Sequence, residues 1–125
     1  MNRNFLCSLA LTCTLALAGG AVAENAAENA ADQEIQYLLE FVSNSGCTFM
    51  RNGDDHDSPD AADHLRLKYN RGKRYVNSAD QFIERLATES SWSGDAYTVT
   101  CAGQTETSAE WLHRALADYR QQPHN

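Results

Sequence analysis

Beyond residue 23 the chain has no long apolar run, no cluster of basic residues and no two cysteines separated by two residues. The first absence leaves residues 24–125 without a permanent membrane anchor, because a spanning helix needs about 20 consecutive apolar residues. The second argues against nucleic acid as a partner. With 17 acidic against 10 basic residues and a net charge of −7, the field of the molecule repels phosphate backbones and anionic lipid surfaces. The third removes the usual redox dithiol. The chain also lacks a Gly-x-Ser-x-Gly elbow, a Cys/His-rich zinc set, and a calcium loop closed by a glutamate. Nothing in it specifies a cofactor or a resident metal.

What is present begins with the N-terminus. Met1 to Asn4 carries Arg3, residues 5–18 are almost wholly apolar, and Gly19-Gly20 precede Ala21-Val22-Ala23. A basic leader, a short apolar core and small residues at a cleavage site form a secretory signal, with the cut expected after Ala23. An uncleaved anchor is the alternative, and the well-formed cleavage site argues against it. A lipoprotein would need a cysteine directly after small residues at the end of the run, whereas Cys7 and Cys13 lie inside it. Residues 1–23 are therefore expected to be a signal peptide and the mature protein to be periplasmic. Cleavage removes Arg3 and no acid, so the mature chain is one unit more acidic.

Cys47 and Cys101 remain after the cut. In an oxidising compartment two cysteines have one intramolecular pairing. A disulfide between them is expected, against the alternative of two buried thiols.

About 100 residues make one domain with one core. Residues 24–33 hold Glu-Asn-Ala-Ala twice, with no apolar face, and are expected to form a flexible arm or a frayed extension of the first helix. Ile35, Leu38, Leu39 and Val42 then recur at helical spacing until Asn44-Ser45-Gly46. Cys47 to Arg51 reads as a strand, and Asn52-Gly53 as a tight turn into a short, very polar return arm. Ser58-Pro59-Asp60 starts a helix, with Ser58 as the capping hydroxyl and Pro59 at the first helical position, whose stripe is Ala61, Ala62, Leu65 and Tyr69. Ser78 and Gln81 have capping-box spacing ahead of Phe82, Ile83 and Leu86. Ser90 to Asp95 is a hydroxyl-rich turn, and Ala96 to Cys101 is a strand with Tyr97, Val99 and Cys101 on one face. Ala102-Gly103-Gln104 turns, and Thr107 and Glu110 cap a last helix bearing Trp111, Leu112, Ala115, Leu116 and Tyr119. The expected fold is α+β, a small antiparallel sheet of two to three short strands packed by about four helices. Its order is α-β-β-α-α-β-α, with one disulfide, in a single domain over 34–121 and a frayed tail at 122–125.

Several segments carry a resemblance. Cys47-Thr48-Phe49-Met50-Arg51-Asn52-Gly53, His64-Leu65 with Lys68, Ala79-Asp80-Gln81-Phe82-Ile83 leading to Ser90-Ser91-Trp92-Ser93-Gly94, and Glu110-Trp111-Leu112 together resemble the YfeK-like group of small exported bacterial proteins, a domain of unknown function. The resemblance spans residues 35–120. It implies export and a single domain, and it brings no activity with it. Two positions depart from the pattern: Ala96 stands where a proline is expected, and the return arm of the hairpin is unusually acidic.

The polar segments offer several chemistries, each beside a plainer account. Asp54, Asp55, His56, Asp57, Asp60, Asp63 and His64 are cation-ligand types, with Asp60 and His64 one helical turn apart. The plainer account is a solvated turn followed by acids at a helix start. Asp60, His64 and Lys68 form a stripe that suits a polar ligand or an acid–base histidine, or else a row of surface pairs. Ser90, Ser91 and Ser93 supply ligand hydrogen bonds or a nucleophile, or else cap a helix end. Trp92 is either a lid over the core or an exposed contact residue, and Trp111 belongs to the core. Arg51 anchors a carboxylate or phosphate, or pairs with a nearby acid.

The leading expectation is a non-enzymatic periplasmic module that binds a protein partner or a small polar ligand. Its candidate surface is Arg51, Asn52, His64, Lys68, Ser91, Trp92 and Ser93. One alternative is a small cell-envelope hydrolase with His64 as base, which requires a serine hydroxyl within its reach. Another is a structural or stress-related envelope protein with no defined site.

Overall fold

Ile35, Leu38, Leu39 and Val42 align on one side of a helix and are all buried, and that stripe organises the rest of the chain. The computed structural model describes residues 19–124; the leader expected at 1–23 lies mostly outside them, as does Asn125. Helix α1 runs Gly19–Asn44. It passes without a break through residues 24–33, for which an arm or an extension of this helix is the expectation. Alanine and glutamate favour helix there, and residues 25–30 are exposed. Ser45 Oγ donates to the Val42 carbonyl at 2.8 Å at the C-terminal end, and Gly46 takes a positive φ of 67°.

The sheet follows. Strand β1 is Thr48–Arg51 and β2 is Asp54–His56. They are joined by Asn52-Gly53 with φ of 53° and 82°, the all-positive geometry of the preferred two-residue hairpin turn. Strand β3, Thr98–Cys101, pairs antiparallel with β1 and with β4, Gln104–Thr107. The sheet order is β2-β1-β3-β4. The α+β fold with its disulfide is as expected, and β4 extends the element order to α-β-β-α-α-β-β-α. Segment 104–107 has no apolar alternation to mark it. It becomes a strand because Ala102 and Gly103, at φ 50° and 79°, turn the chain straight back onto β3.

One rung of the sheet explains how polar edge strands lie beside a core. His56, Phe49, Val99 and Glu106 stand opposite one another across β2, β1, β3 and β4. Phe49 and Val99 in the middle are buried. The polar ends of the rung turn to flanking helices. His56 Nδ1 lies 2.6 Å from Asp60 in the helix that follows β2, and Glu106 accepts from Arg114 in the last helix at 2.6 Å. On the other face, Met50 is half exposed and the Thr100 and Thr105 hydroxyls bond across the strands at 2.6 Å. The helices thus cover one face of the sheet. Cys47 and Cys101 occupy the rung beyond the Thr48–Thr100 pair and are bridged, with Cα atoms 4.7 Å apart. That spacing matches the narrow antiparallel pair, about 4.5 Å.

Helix α2 spans Ser58–Gly72, followed by a 3-10 turn at Lys73–Tyr75. Its cap is Asp57, one residue earlier than the Ser58 expected, with the carboxylate accepting the Asp60 N–H at 2.9 Å. Ser58 is instead buried in the first turn. Helix α3, Ala79–Leu86, is capped by Ser78, and α4, Ser108–Gln121, by Thr107. Phe82, Leu112 and Leu116 meet the α1 stripe in the core. Phe41 and Phe49 contact Trp111, at ring separations of 4.6 and 5.5 Å. Arg120 ties three helices together, donating to both Glu34 oxygens at 2.6 and 2.9 Å and to Asp80 at 2.9 Å. Among the described residues no helix is long and apolar enough to cross a membrane.

Candidate functional site

Three segments far apart in sequence meet at one end of the sheet. The β1–β2 turn brings Arg51 and Asn52. The exposed side of α2 brings His64, Lys68 and Arg71. The loop between α3 and β3 brings Ser90, Ser91 and Trp92. Together with Gly72, Leu86 and Tyr97 they line a cleft of about 520 Å³, within the range of about 300–1,000 Å³ usual for small-molecule sites.

Each wall has a local cause. His64 and Lys68 are one turn apart on α2, so both face the same way. Ser90 is buried and organises its loop. Its Oγ accepts the N–H groups of Trp92 and Ser93 at 3.2 and 3.3 Å, and its carbonyl accepts the Gly94 N–H at 2.9 Å. Gly94 has a φ of 76°, which a Cβ would disfavour. The Ser93 and Asn52 side chains meet at 2.5 Å, fastening this loop to the hairpin. Tyr97 is held by backbone bonds to Thr88 and Ser108, both 2.9 Å.

The cleft centres on the Tyr97 phenol. Lys68 Nζ donates to it at 3.0 Å and to the Glu89 carbonyl at 3.1 Å, while lying 4.9 Å from the centre of the Tyr97 ring. His64 Nε2 is 3.3 Å from the same hydroxyl. Burial, followed by the nearby charges of Arg51, Lys68 and His56, lowers the His64 pKa to about 4 against a small opposing effect of Asp60. The imidazole is therefore neutral near pH 7. The arrangement that satisfies all three groups runs from the Lys68 ammonium to the Tyr97 oxygen, and from the Tyr97 proton to His64 Nε2. Burial also lowers the Lys68 pKa, partly offset by Glu89, with Arg51 adding to the lowering. Burial raises that of Tyr97, against Arg51.

Arg51 is half buried. Among the described residues it makes no salt bridge and no side-chain hydrogen bond, so it is not paired with the acids of the hairpin. Its charge is nonetheless felt by His64, Lys68 and Tyr97. A chain with a net charge of −7 thus has a local concentration of positive charge in its cleft.

Of the seven residues singled out from the sequence, Arg51, Asn52, His64, Lys68, Ser91 and Trp92 line this cleft. Ser93 sits behind it, bonded to Asn52. The stripe of Asp60, His64 and Lys68 does not act as a unit, because Asp60 pairs with His56 while His64 and Lys68 turn to Tyr97. Tyr97 and Arg71 were not anticipated. Tyr97 reads as a core residue of its strand, although a buried phenol needs a polar partner, and that requirement was the available signal. Arg71 reads as a cation at a helix end. Among the described residues no three His, Cys, Asp or Glu side chains come together as a metal site.

The uncharacterized protein YfeK of Salmonella typhimurium (strain LT2) is 44% identical to this chain over 50 residues, which is 40% of this chain and 42% of that protein. The chain spans about two fifths of the length of this curated relative. No solved structure matches. The family of unknown function DUF5329 matches residues 29–120, the whole of the disulfide-bridged domain with its cleft, and the chain belongs to that family.

Proposed function

We propose that the chain is exported to the periplasm, loses its leader after Ala23, and serves there as a non-enzymatic module whose cleft binds a small polar ligand of negative charge. One observation carries this reading. Arg51 and Lys68 converge on a concave surface without a carboxylate bonded to either, in an otherwise acidic molecule. Glu89 offsets part of the charge on Lys68, but Arg51 and Lys68 still repel in a partly buried place, and an anion between them relieves that repulsion. The Arg51 fork keeps all its donors for such a ligand, and the Lys68 ammonium has spent two of its three. The disulfide supports the location, since such bonds persist in oxidising compartments.

The hydrolase alternative gains no support from this geometry. The partner of His64 is the Tyr97 phenol; Ser90 Oγ is engaged with its own loop and Ser93 Oγ with Asn52, and among the described residues Ser91, which lines the same cleft, makes no hydrogen bond to His64. A structural protein without a site gives no reason for an unpaired arginine beside a half-buried lysine.

The oxidised protein is to be melted at constant ionic strength in chloride and in a panel of carboxylates and phosphates. A ligand that binds only the folded state raises Tm with its concentration. A saturable rise for at least one anion, absent in Arg51→Gln, is the expected result. An equal rise in Arg51→Gln, or none for any anion, rejects the reading. Periplasmic fractionation followed by mass measurement of the mature N-terminus checks the cut before Glu24.

A further inference from the structure

We infer that the ligand of this cleft is an oxyanion carried on a flat ring, with its charge between Arg51 and Lys68 and its ring against Trp92. This rests on the reading of the cleft as an anion site and adds the body of the ligand to it. Three features of the walls carry the step.

The first is Trp92, which is 88% exposed. Trp111, by contrast, is buried. An indole in water at the lip of a concave surface is the side chain type that most often dominates binding energy. The second is the rigidity of its support. Ser90 Oγ accepts the Trp92 and Ser93 N–H groups, Ser90 N–H donates to the Asp95 carbonyl, and Ser93 is latched to Asn52. The loop is therefore ordered before any ligand arrives, so stacking on Trp92 costs little further entropy. The third is the space between the cations and the indole. A cleft of about 520 Å³ is much larger than a bare phosphate or carboxylate. Leu86 and Gly72 line it beside the polar groups, and the edge of the mostly buried Tyr97 reaches it. A Cβ on Gly72 would lie 3.1 Å from Leu86 Cδ2, so glycine there is what lets the end of α2 close onto Leu86. A ligand that were charge alone would leave these surfaces wet. A ring covers them while its oxyanion reaches Arg51 and the remaining Lys68 proton.

The test is calorimetric titration of the full oxidised chain at fixed ionic strength. The probes are 2-naphthoate and 2-naphthyl phosphate as ring-bearing anions, acetate and inorganic phosphate as heads without a ring, and methyl 2-naphthoate as the ring without charge. Arg51→Gln and Trp92→Ala are suitable variants, because among the described residues neither side chain makes a hydrogen bond that holds the fold. At least one naphthyl anion should bind with a Kd below about 1 mM, and each variant should weaken it by about tenfold or more. The bare heads and the ester should bind wild type more weakly by a similar factor. Preference for the carboxylate or the phosphate identifies the head, and either supports the proposal. If Trp92→Ala binds as well as wild type, or acetate or phosphate matches the naphthyl anions, the ring component is overturned and the anion site stands. If Arg51→Gln binds as well as wild type, or the ester matches the anions, both fail. No binding by either naphthyl anion overturns this proposal alone, since the panel of simple anions tests the site separately.

Discussion

Reducing the Cys47–Cys101 bond should cost this fold about 4 kcal/mol, through the unfolded chain and with little change in the native state. The bonded cysteines are 54 positions apart. The chain-entropy relation for a loop of that size gives about 14 cal/mol/K, or about 4 kcal/mol at 25 °C. The native side of the balance changes little because the bridge joins strands that are already paired. Thr48 faces Thr100, Phe49 faces Val99 and Met50 faces Thr98, so β1 and β3 stay in register without it. A small domain has a total stability of about 5–15 kcal/mol, so the loss is a large share of it. Urea unfolding followed by Trp111 fluorescence reads it directly, since that indole is only 9% exposed in the fold. With a slope of about 1–3 kcal/mol/M, the midpoint should fall by about 1.3–4 M. Wild type with and without reductant should agree with Cys47→Ser/Cys101→Ser. A loss below about 1 kcal/mol at unchanged slope would refute the reasoning, because it would mean that the reduced unfolded chain is already as restricted as the bridged one.

Three further outcomes are expected. Ala102→Asn should stabilise the protein by a few tenths to about 1 kcal/mol in the same assay, because Ala102 has nearly the backbone angle that Asn52 adopts in the other hairpin, and asparagine tolerates it better. Phe82→Ala should destabilise by about 3–5 kcal/mol, since Phe82 is fully buried where α3 meets the α1 stripe. His64 should make the fold sensitive to mild acid: its folded pKa of about 4 lies below the ordinary 6.5, so between those values the unfolded chain takes up a proton that the folded chain refuses. Stability from this source is intact above pH 6.5, falls as pH drops through the window, and is fully lost below about 4. His64→Gln removes that component, so the urea midpoint of wild type should fall relative to the variant between pH 7 and pH 4; parallel curves would contradict the environment described for His64.

Much of the architecture follows from local chemistry. The spacing of Ile35, Leu38, Leu39 and Val42, the Ser78 and Thr107 caps and the Asn52-Gly53 turn act over a few residues, so each can be read in a short window of sequence. The pairing of Cys47 with Cys101 follows from their being the two cysteines left in the expected mature chain, once an oxidising compartment is assumed. Strand β4 was not legible because Gln104, Thr105 and Glu106 have no apolar alternation; its partner β3 supplies the register, and Glu106 faces inward only because Arg114 on α4 meets it there. The cap of α2 shifted from Ser58 to Asp57 because two oxygen-bearing residues competed one position apart, and burial of Ser58 decided between them.

Sequence alone determined which polar side chains were unusual for their segments: an arginine before a tight turn, a histidine and a lysine one helical turn apart, a tryptophan among serines. Only the tertiary structure decided that they share a cleft, that Tyr97 stands between His64 and Lys68, and that, among the described residues, Arg51 forms no salt bridge even with Asp54 opposite it in the hairpin. The physical reason is range. Caps, turns and helical faces are governed by neighbours within four residues, whereas this cleft depends on how α2, the hairpin and the α3–β3 loop settle around one buried face of the sheet, and that is set by the packing of the whole core.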